Sequence, residues 1–184
     1  MTQYQLVNIV ARGHLGREID LSALEEDIDA YEVYIEGPGL YFKITEDSPT
    51  VTLARSGKYI ITGCTSRDEL DSEHSRTLDY LTSINLLERP EDKSFEIVNV
   101  VATYELDSNL DLNTLVVYLG MEQTEYEPEQ FPGIVFRPED LDIVFLLFTS
   151  GKVVITGVDS IKKSRQSTSF LDDLLKEYLE SVQL

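Results

Sequence analysis

The two halves of this 184-residue chain carry the same short segments in the same order. Val7-Asn8-Ile9-Val10-Ala11 returns as Val98-Asn99-Val100-Val101-Ala102, an offset of 98 − 7 = 91 residues. The octet that begins with Ser56-Gly57-Lys58 returns from Ser150, an offset of 150 − 56 = 94 residues. Because this period is far longer than that of a solenoid unit, the sequence predicts a duplicated half-domain with a pseudo-twofold axis.

The length suits one domain built from both copies. We expect a first repeat at residues 1–87, a second repeat at 95–184 and a linker at 88–94, where proline stands among charged residues. The chain has no apolar run long enough to span a bilayer, and its N-terminus lacks a signal-peptide pattern, so we expect a cytoplasmic, nucleoid-associated protein. The single cysteine, Cys64, follows an apolar strand and is predicted to be a buried structural thiol.

The net charge of −19 is spread over both halves rather than held in a tail. Such a charge costs self-repulsion unless salt screens it, and near molar salt the Debye length falls to roughly 3 Å. A halophilic cytoplasm is the first explanation, and an acidic mesophilic protein is the alternative. Taken alone, this charge argues against nucleic acid as a partner.

Each half shows the same order of predicted elements: a Val- and Ile-rich strand, a short amphipathic helix, several strands and a longer helix. The strands are predicted at 4–11, 39–45, 51–54 and 59–62 in the first half and at 95–102, 134–137, 143–149 and 153–156 in the second. Ser56-Gly57-Lys58 and its copy are predicted to be hairpin turns, and Ser66-Arg67-Asp68-Glu69 is predicted to be a capping box at the start of the longer helix. We therefore predict an α+β fold, with the helices on one face of an antiparallel sheet and the other face open. In the last strand of the first half, strand alternation places Ser56, Lys58, Ile60 and Thr62 on one side and apolar Tyr59 and Ile61 on the other. The open face therefore mixes Asn, Thr, small apolar groups and a few cations.

These residues resemble those of the TATA-box-binding protein family, archaeal type, over essentially the whole chain. The resemblance rests on Val-Asn-Ile-Val-Ala from Val7, on Tyr126-Glu127-Pro128-Glu129-Gln130-Phe131-Pro132-Gly133, and on Phe148-Thr149-Ser150-Gly151-Lys152. It implies a saddle: a curved antiparallel sheet of ten strands with four helices on its convex face. It also implies a transcription initiation factor whose concave face binds the minor groove of A·T-rich promoter DNA.

The resemblance also implies roles for individual residues. Four of them would hydrogen-bond base edges, namely Asn8, Asn99, Thr62 and Thr156. The groove floor would be packed by Val10, Val101, Ile60 and Val154. The phosphates would be met by Lys43, Lys58, Arg137 and Lys152, with Ser56 and Ser150 nearby. Phe131 and Phe148 would wedge between base steps, supported by Leu146, and Glu127 and Glu129 would receive transcription factor B.

The first half departs from the family pattern. Gly37 and Ala54 stand where the family carries its first pair of wedges, and neither can unstack a base step. Glu36 also replaces a usual cation, and a lysine is replaced by Thr65 in the first half and by Asp159 in the second half. We therefore expect an asymmetric bend or weaker binding.

Other functions follow less well from the residues. His14 and His74 lie in unrelated settings, and the chain carries no Cys/His metal spacing and no phosphate loop, so we predict neither an enzyme nor a cofactor. One alternative is a divergent paralogue that binds transcription factor B or another protein without bending DNA. Another is an interaction module that shares only the fold, against which the polar quartet of Asn and Thr residues counts.

Overall fold

A computed structural model describes residues 4–88 and 95–181 of the chain. Most of the expected linker, residues 89–94, lies outside the described residues. The chain divides into two compact units, one of which is Asn8–Val98. The other contains the chain from Asn99 onward together with the residues up to Val7. This division follows the packing of the chain and not the sequence repeat, so the predicted boundaries of the two repeats, 1–87 and 95–184, stay a prediction.

The first repeat contains five strands and two helices. In chain order they are β1 (Gln5–His14), α1 (Leu21–Asp27), β2 (Glu32–Glu36), β3 (Gly39–Lys43), β4 (Thr50–Ala54), β5 (Lys58–Cys64) and α2 (Arg67–Ser83). The strands lie in the order β2-β3-β4-β5-β1, and every neighbouring pair is antiparallel.

The second repeat has the same order of elements. They are β6 (Phe95–Glu105), α3 (Leu112–Leu119), β7 (Thr124–Glu125), β8 (Gly133–Phe136), β9 (Val144–Phe148), β10 (Lys152–Val158) and α4 (Ile161–Ser181). Its strands lie in the order β6-β10-β9-β8-β7, again antiparallel. The α+β class and the duplicated element order are therefore as the sequence predicts.

Local sequence explains where the helices begin. Asp20 caps α1 by accepting the backbone N–H groups of Ser22 and Ala23, and Asp111 caps α3 by accepting that of Asn113. Ser66 caps α2 by accepting the N–H of Glu69 at 3.1 Å. A capping box would have the Glu69 side chain accept the N–H of Ser66; here the N–H of Thr65 donates to Oε2 of Glu69 instead, at 2.7 Å.

The core of each unit lies between the sheet and its helices. Alternate residues of β5 and β10 are buried there, and so are Leu70, Leu78 and Leu81 of α2 and Leu171, Leu175 and Tyr178 of α4. Cys64 is fully buried, as predicted. Burial raises its pKa to about 12, with contributions from Glu69 and Glu73. The opposite face of each sheet remains open.

β2 and β7 are absent from the strands predicted from the sequence. β2 is an edge strand whose residues are mostly exposed, and β7 has only two residues, so neither shows the apolar alternation of a half-buried strand. The hairpin turns predicted at Ser56-Gly57-Lys58 and at its copy are confirmed. Gly57 and Gly151 have φ of 84° and 83°, and each N–H bonds the carbonyl three residues earlier, at 2.9 Å.

Candidate nucleic-acid interface

The open face of each sheet is set by strand alternation. In β5, Ile60 is 39% exposed while its neighbours Tyr59 and Ile61 are 1% exposed. Lys58 is exposed and Thr62 is half-buried on the same side as Ile60. In β10 the corresponding residues Lys152, Val154 and Thr156 alternate with buried apolar residues in the same way. The structure therefore places these predicted contact residues on the open face of their own unit.

An asparagine, a threonine and a glycine form one cluster in the unit Asn8–Val98. The backbone N–H of Gly63 donates to Oδ1 of Asn8 at 2.8 Å. Nδ2 of Asn8 donates to Oγ1 of Thr62 at 3.2 Å. Pairing between β1 and β5 shifts register between Ile9 and Val10, and this irregularity frees the Gly63 N–H from the strand ladder.

The other unit repeats this cluster. The backbone N–H of Gly157 donates to Oδ1 of Asn99 at 3.0 Å, and Oγ1 of Thr156 donates to the same oxygen at 3.2 Å. The pairing of β10 with β6 also shifts register here, between Ile155 and Val158. In both units the carbonyl oxygen of the asparagine accepts a backbone N–H. An amide NH₂ group has two hydrogens, and Asn8 directs one of them to Thr62, so each asparagine keeps at least one hydrogen that it can donate to a ligand.

Apolar residues lie beside these clusters on the same face. Val10 stands opposite Thr62 in the pairing of β1 with β5. In the other unit, Val154 stands between Thr103 of β6 and Leu146 of β9, and all three are half-buried. Val101 of β6 is half-buried as well. A donor group flanked by branched apolar side chains suits a surface that carries acceptors and excludes bulky polar groups.

Two phenylalanines lie together in the unit that contains Asn99. The rings of Phe131 and Phe148 meet edge to face, with centroids 5.6 Å apart and planes at 64°. Both rings cover Gly133, where an added Cβ would lie 3.0 Å from Cε1 of Phe148 and 3.1 Å from Cε1 of Phe131. Gly133 is therefore needed to let the aromatic pair sit against the strand.

The strand register identifies the matching positions in the other unit. Gly39 pairs with Ala54 as Gly133 pairs with Phe148. Gly37 precedes Gly39 by two residues, as Phe131 precedes Gly133. Gly37 and Ala54 therefore occupy the positions that correspond to Phe131 and Phe148, and neither carries an aromatic side chain.

Carboxylates accompany most of the predicted phosphate contacts. Lys43 stands opposite Glu32 in the strand pairing, and Lys152 stands opposite Glu105. Arg137 follows β8 and donates to Glu125 at 2.7 Å. The Arg137–Glu125 ion pair is exposed and therefore weak, so a phosphate can replace its carboxylate. Ser56 and Ser150 lie in the exposed turns that precede β5 and β10.

An arginine and a histidine on the open face were not among the contact residues predicted from the sequence. β1 was predicted to end at Ala11 but runs to His14, so Arg12 and His14 continue the alternation of Asn8 and Val10. Arg12 pairs with Glu96 at 2.7 Å, and His14 stands opposite Lys58. Arg12 and His14 could have been predicted by continuing the strand alternation past Gly13.

The predicted partner residues lie in the loop between β7 and β8. Glu127 and Glu129 are both exposed there. The carbonyl of Glu127 accepts the backbone N–H groups of Gln130 and Phe131, each at 2.9 Å, and Nε2 of Gln130 donates to the Glu127 carboxylate. These hydrogen bonds therefore connect the loop that carries Glu127 and Glu129 to Phe131, one of the two phenylalanines of the aromatic pair.

Comparison with known proteins decides the family. The family model described as transcription factor TFIID, or TATA-binding protein, matches residues 3–84 and 94–178. This chain belongs to the TATA-binding protein family. The resemblance noted in the sequence is thereby confirmed, and the family consists of general transcription initiation factors that bind TATA promoter DNA, which is not a class of enzymes.

Individual relatives agree. TATA-box-binding protein C of Halobacterium salinarum is 40% identical over 94% of this chain and 97% of its own length. The TATA-box-binding protein of Picrophilus torridus is 37% identical over 91% of both. The solved structure of Methanococcus jannaschii TBP has a TM-score of 0.80 and 32% identity, and the match covers 95% of this chain and 99% of that one. The TATA-binding-protein fold predicted from sequence is confirmed.

The relatives also bear on charge. The homologues from Halobacterium salinarum are halophilic, which agrees with the interpretation of the net charge of −19 as an adaptation to salt. Within residues 4–88 and 95–181, no helix is long and apolar enough to cross a membrane.

Proposed function

We propose that this TATA-binding-protein homologue binds the minor groove of A·T-rich promoter DNA, recruits transcription factor B and acts at the nucleoid. The observation that carries the proposal is the cluster of Asn, Thr and Gly found in both units. A backbone N–H holds Oδ1 of Asn8 and of Asn99, at 2.8 Å and 3.0 Å. Each asparagine is thereby oriented as a hydrogen-bond donor.

A donor is what the minor groove of A·T pairs requires. There A·T and T·A pairs present only the acceptors N3 of adenine and O2 of thymine. A G·C pair adds the N2 amino group of guanine, which is a donor. Against Val10, Ile60, Val101 and Val154 this amino group would lose its water without gaining a partner, at a cost on the order of 1–3 kcal/mol. The same surface therefore favours A·T pairs.

Phe131 and Phe148 supply the wedge at one end of the site. Wedging of apolar side chains between base steps kinks a duplex, and TATA-binding proteins are a standard example of it. Both rings are half-buried. Each packs against Gly133 on one side and leaves an edge exposed for contact with DNA. Leu146 lies two residues before Phe148 on the same face of β9.

Glu127 and Glu129 provide the surface for transcription factor B. Their carboxylates are exposed, and the loop is held by backbone hydrogen bonds to the carbonyl of Glu127. A partner with basic side chains would find these acids beside the DNA-binding face. Because Phe131 belongs to the same loop, a partner bound here would also touch the element that kinks the DNA.

The test is a fluorescence anisotropy titration of an A·T-rich duplex from low to molar KCl, with and without transcription factor B. Specific binding over a G·C-rich duplex is expected, and Phe148→Ala should abolish it. Phe170→Ala is the control, because Phe170 is an exposed phenylalanine on helix α4. Equal binding to both duplexes by the unmodified protein would contradict the proposal.

The second candidate is a paralogue that holds transcription factor B without bending DNA. The observation that favours it is the absence of a side chain able to wedge at Gly37 and Ala54. It predicts a complex with transcription factor B that forms without promoter DNA, and no change in end-to-end energy transfer on a doubly labelled duplex. A DNA-dependent complex with increased energy transfer would exclude it.

A further inference from the structure

Two tyrosines of the first repeat stack on the open face of the sheet. Tyr34 of β2 stands opposite Tyr41 of β3, with ring centroids 5.3 Å apart and planes at 7°. Tyr41 lies between the buried residues Leu40 and Phe42, so its side chain points to the open face. Strand pairing continues from Tyr41 through Thr52 to Ile60, a residue of the proposed DNA surface.

Tyr41 covers the glycine that corresponds to Gly133. An added Cβ on Gly39 would lie 3.4 Å from Cε2 of Tyr41. In the second repeat, the equivalent Cβ on Gly133 would lie 3.0 Å and 3.1 Å from the rings of the phenylalanine pair. In each unit, therefore, an aromatic ring lies against the equivalent glycine, Gly39 or Gly133. The residues that carry these rings occupy different positions in the two repeats.

A difference in loop length explains the change of position. β2 and β3 are joined by the two residues Gly37 and Pro38, and Gly37 has φ of +55°. A tight turn of this kind needs glycine, so a phenylalanine at residue 37 would be strained. In the second repeat, residues 126–132 join β7 to β8 and carry Phe131.

The short turn also lets β2 pair along its whole length, which brings Tyr34 opposite Tyr41. In the second repeat, Glu125 and Val135 are the matching pair. The stacked tyrosines are therefore a property of the first repeat alone. Tyr34 is 39% exposed, so the stack is reachable from solvent.

We propose that Tyr34 and Tyr41 make the aromatic contact of the first repeat with the duplex, in place of the wedges absent at Gly37 and Ala54. The inference rests on the proposed binding of A·T-rich DNA. The rings offer stacking surface to unstacked bases, and their hydroxyls can donate to N3 and O2 acceptors. Because the stack is already formed in the free protein, little side-chain entropy is lost on binding.

The experiment uses A·T-rich duplexes that carry a fluorescent adenine analogue at one base step at a time. Unstacking is expected at two places, one for each repeat. Tyr34→Ala combined with Tyr41→Ala should remove the signal at one end and weaken binding about tenfold. The signal at the other end should persist in this double variant, whereas Phe148→Ala, which abolishes specific binding, should remove both signals. Tyr31→Ala is the matched control, because Tyr31 is a 61% exposed tyrosine that precedes β2.

Two further variants separate a loss of contact from a loss of folding. Tyr41→Leu keeps an apolar strand residue and should show the same loss of unstacking. Ala54→Phe in the Tyr41→Ala background should restore binding and the end signal, because residue 54 pairs with Gly39 as Phe148 pairs with Gly133. Circular dichroism melts verify that each variant is folded.

The outcomes distinguish the two proposals. If the double alanine variant binds and unstacks like the unmodified protein while Phe148→Ala abolishes binding, the tyrosine contact is wrong and the proposed function stands. If the unmodified protein shows no preference for A·T-rich duplex, both are wrong. Loss of only the first-repeat signal, with rescue by Ala54→Phe, supports the tyrosine contact.

Discussion

Oδ1 of Asn99 accepts the backbone N–H of Gly157 at 3.0 Å, so the main chain decides which end of this amide faces the ligand. A free asparagine can present either its oxygen or its nitrogen. Here the oxygen is engaged by a fixed donor, and the equivalent bond from Gly63 to Asn8 is 2.8 Å long. The shifted strand register beside each glycine is therefore part of the binding site.

Asn99→Asp tests this orientation. The carboxylate still accepts the N–H of Gly157, so the fold should persist, but the donor is lost and a negative charge faces the groove acceptors. We expect binding to A·T-rich duplex to weaken at least tenfold, equivalent to about 1.4 kcal/mol or more, by fluorescence anisotropy. Asn113→Asp, an exposed position of α3, makes the same change of charge and should bind normally.

Charge reversal at Glu127 and Glu129 tests the partner surface. Glu127→Arg with Glu129→Arg should abolish the shift of the DNA complex by transcription factor B in native gels, because like charges would oppose a basic partner. Duplex binding alone should remain. Glu46→Arg with Asp47→Arg makes an equal change of charge at exposed positions of the first repeat. If that control loses the shift as well, the effect is one of overall charge.

Cys64 should be unreactive in the folded protein. It is fully buried, and burial raises its pKa to about 12, with Glu69 and Glu73 adding to the rise. Since the thiolate is the reactive form, a chromogenic disulfide reagent at pH 8 should react only as urea unfolds the chain. Rapid labelling without denaturant would show that β5 opens in the native state.

The pH dependence of stability should report His74. Its Nε2 lies 2.6 Å from the hydroxyl of Tyr59, and burial lowers its pKa, with Asp71 acting in the opposite direction. A lowered pKa means that the folded protein holds fewer protons at His74 than the unfolded chain. This contribution is therefore complete above the unfolded value of 6.5 and is lost as the pH falls below it.

Urea midpoints between about pH 7.5 and 5.5 measure this effect. His74→Gln should reduce the fall in stability toward low pH, because glutamine keeps a polar group near Tyr59 but does not titrate. His14→Gln should retain it, since His14 is exposed at the end of β1. Equal slopes in His74→Gln and the unmodified protein would contradict the assignment.

Much of the fold could be predicted because its signals are local. The alternation of Lys58 to Thr62 placed the faces of β5, and Ser66 marked the start of α2. β2 was missed because an exposed edge strand needs no apolar face of its own. The end of β1 was predicted wrongly because Gly13 interrupts the apolar pattern. In the structure Gly13 makes room for the side chain of Tyr59, since an added Cβ would lie 2.2 Å from the Tyr59 hydroxyl.

The amino-acid sequence by itself determined the duplication, the order of elements, the open face and the lack of wedges at Gly37 and Ala54, since repeats and alternation are properties of neighbouring residues. Only the tertiary structure decided that Gly157 orients Asn99, that Glu96 accompanies Arg12 and that Tyr34 stacks on Tyr41. These contacts join residues from different strands. Strand register and turn length bring them together, and neither is encoded in the periodicity of a single strand.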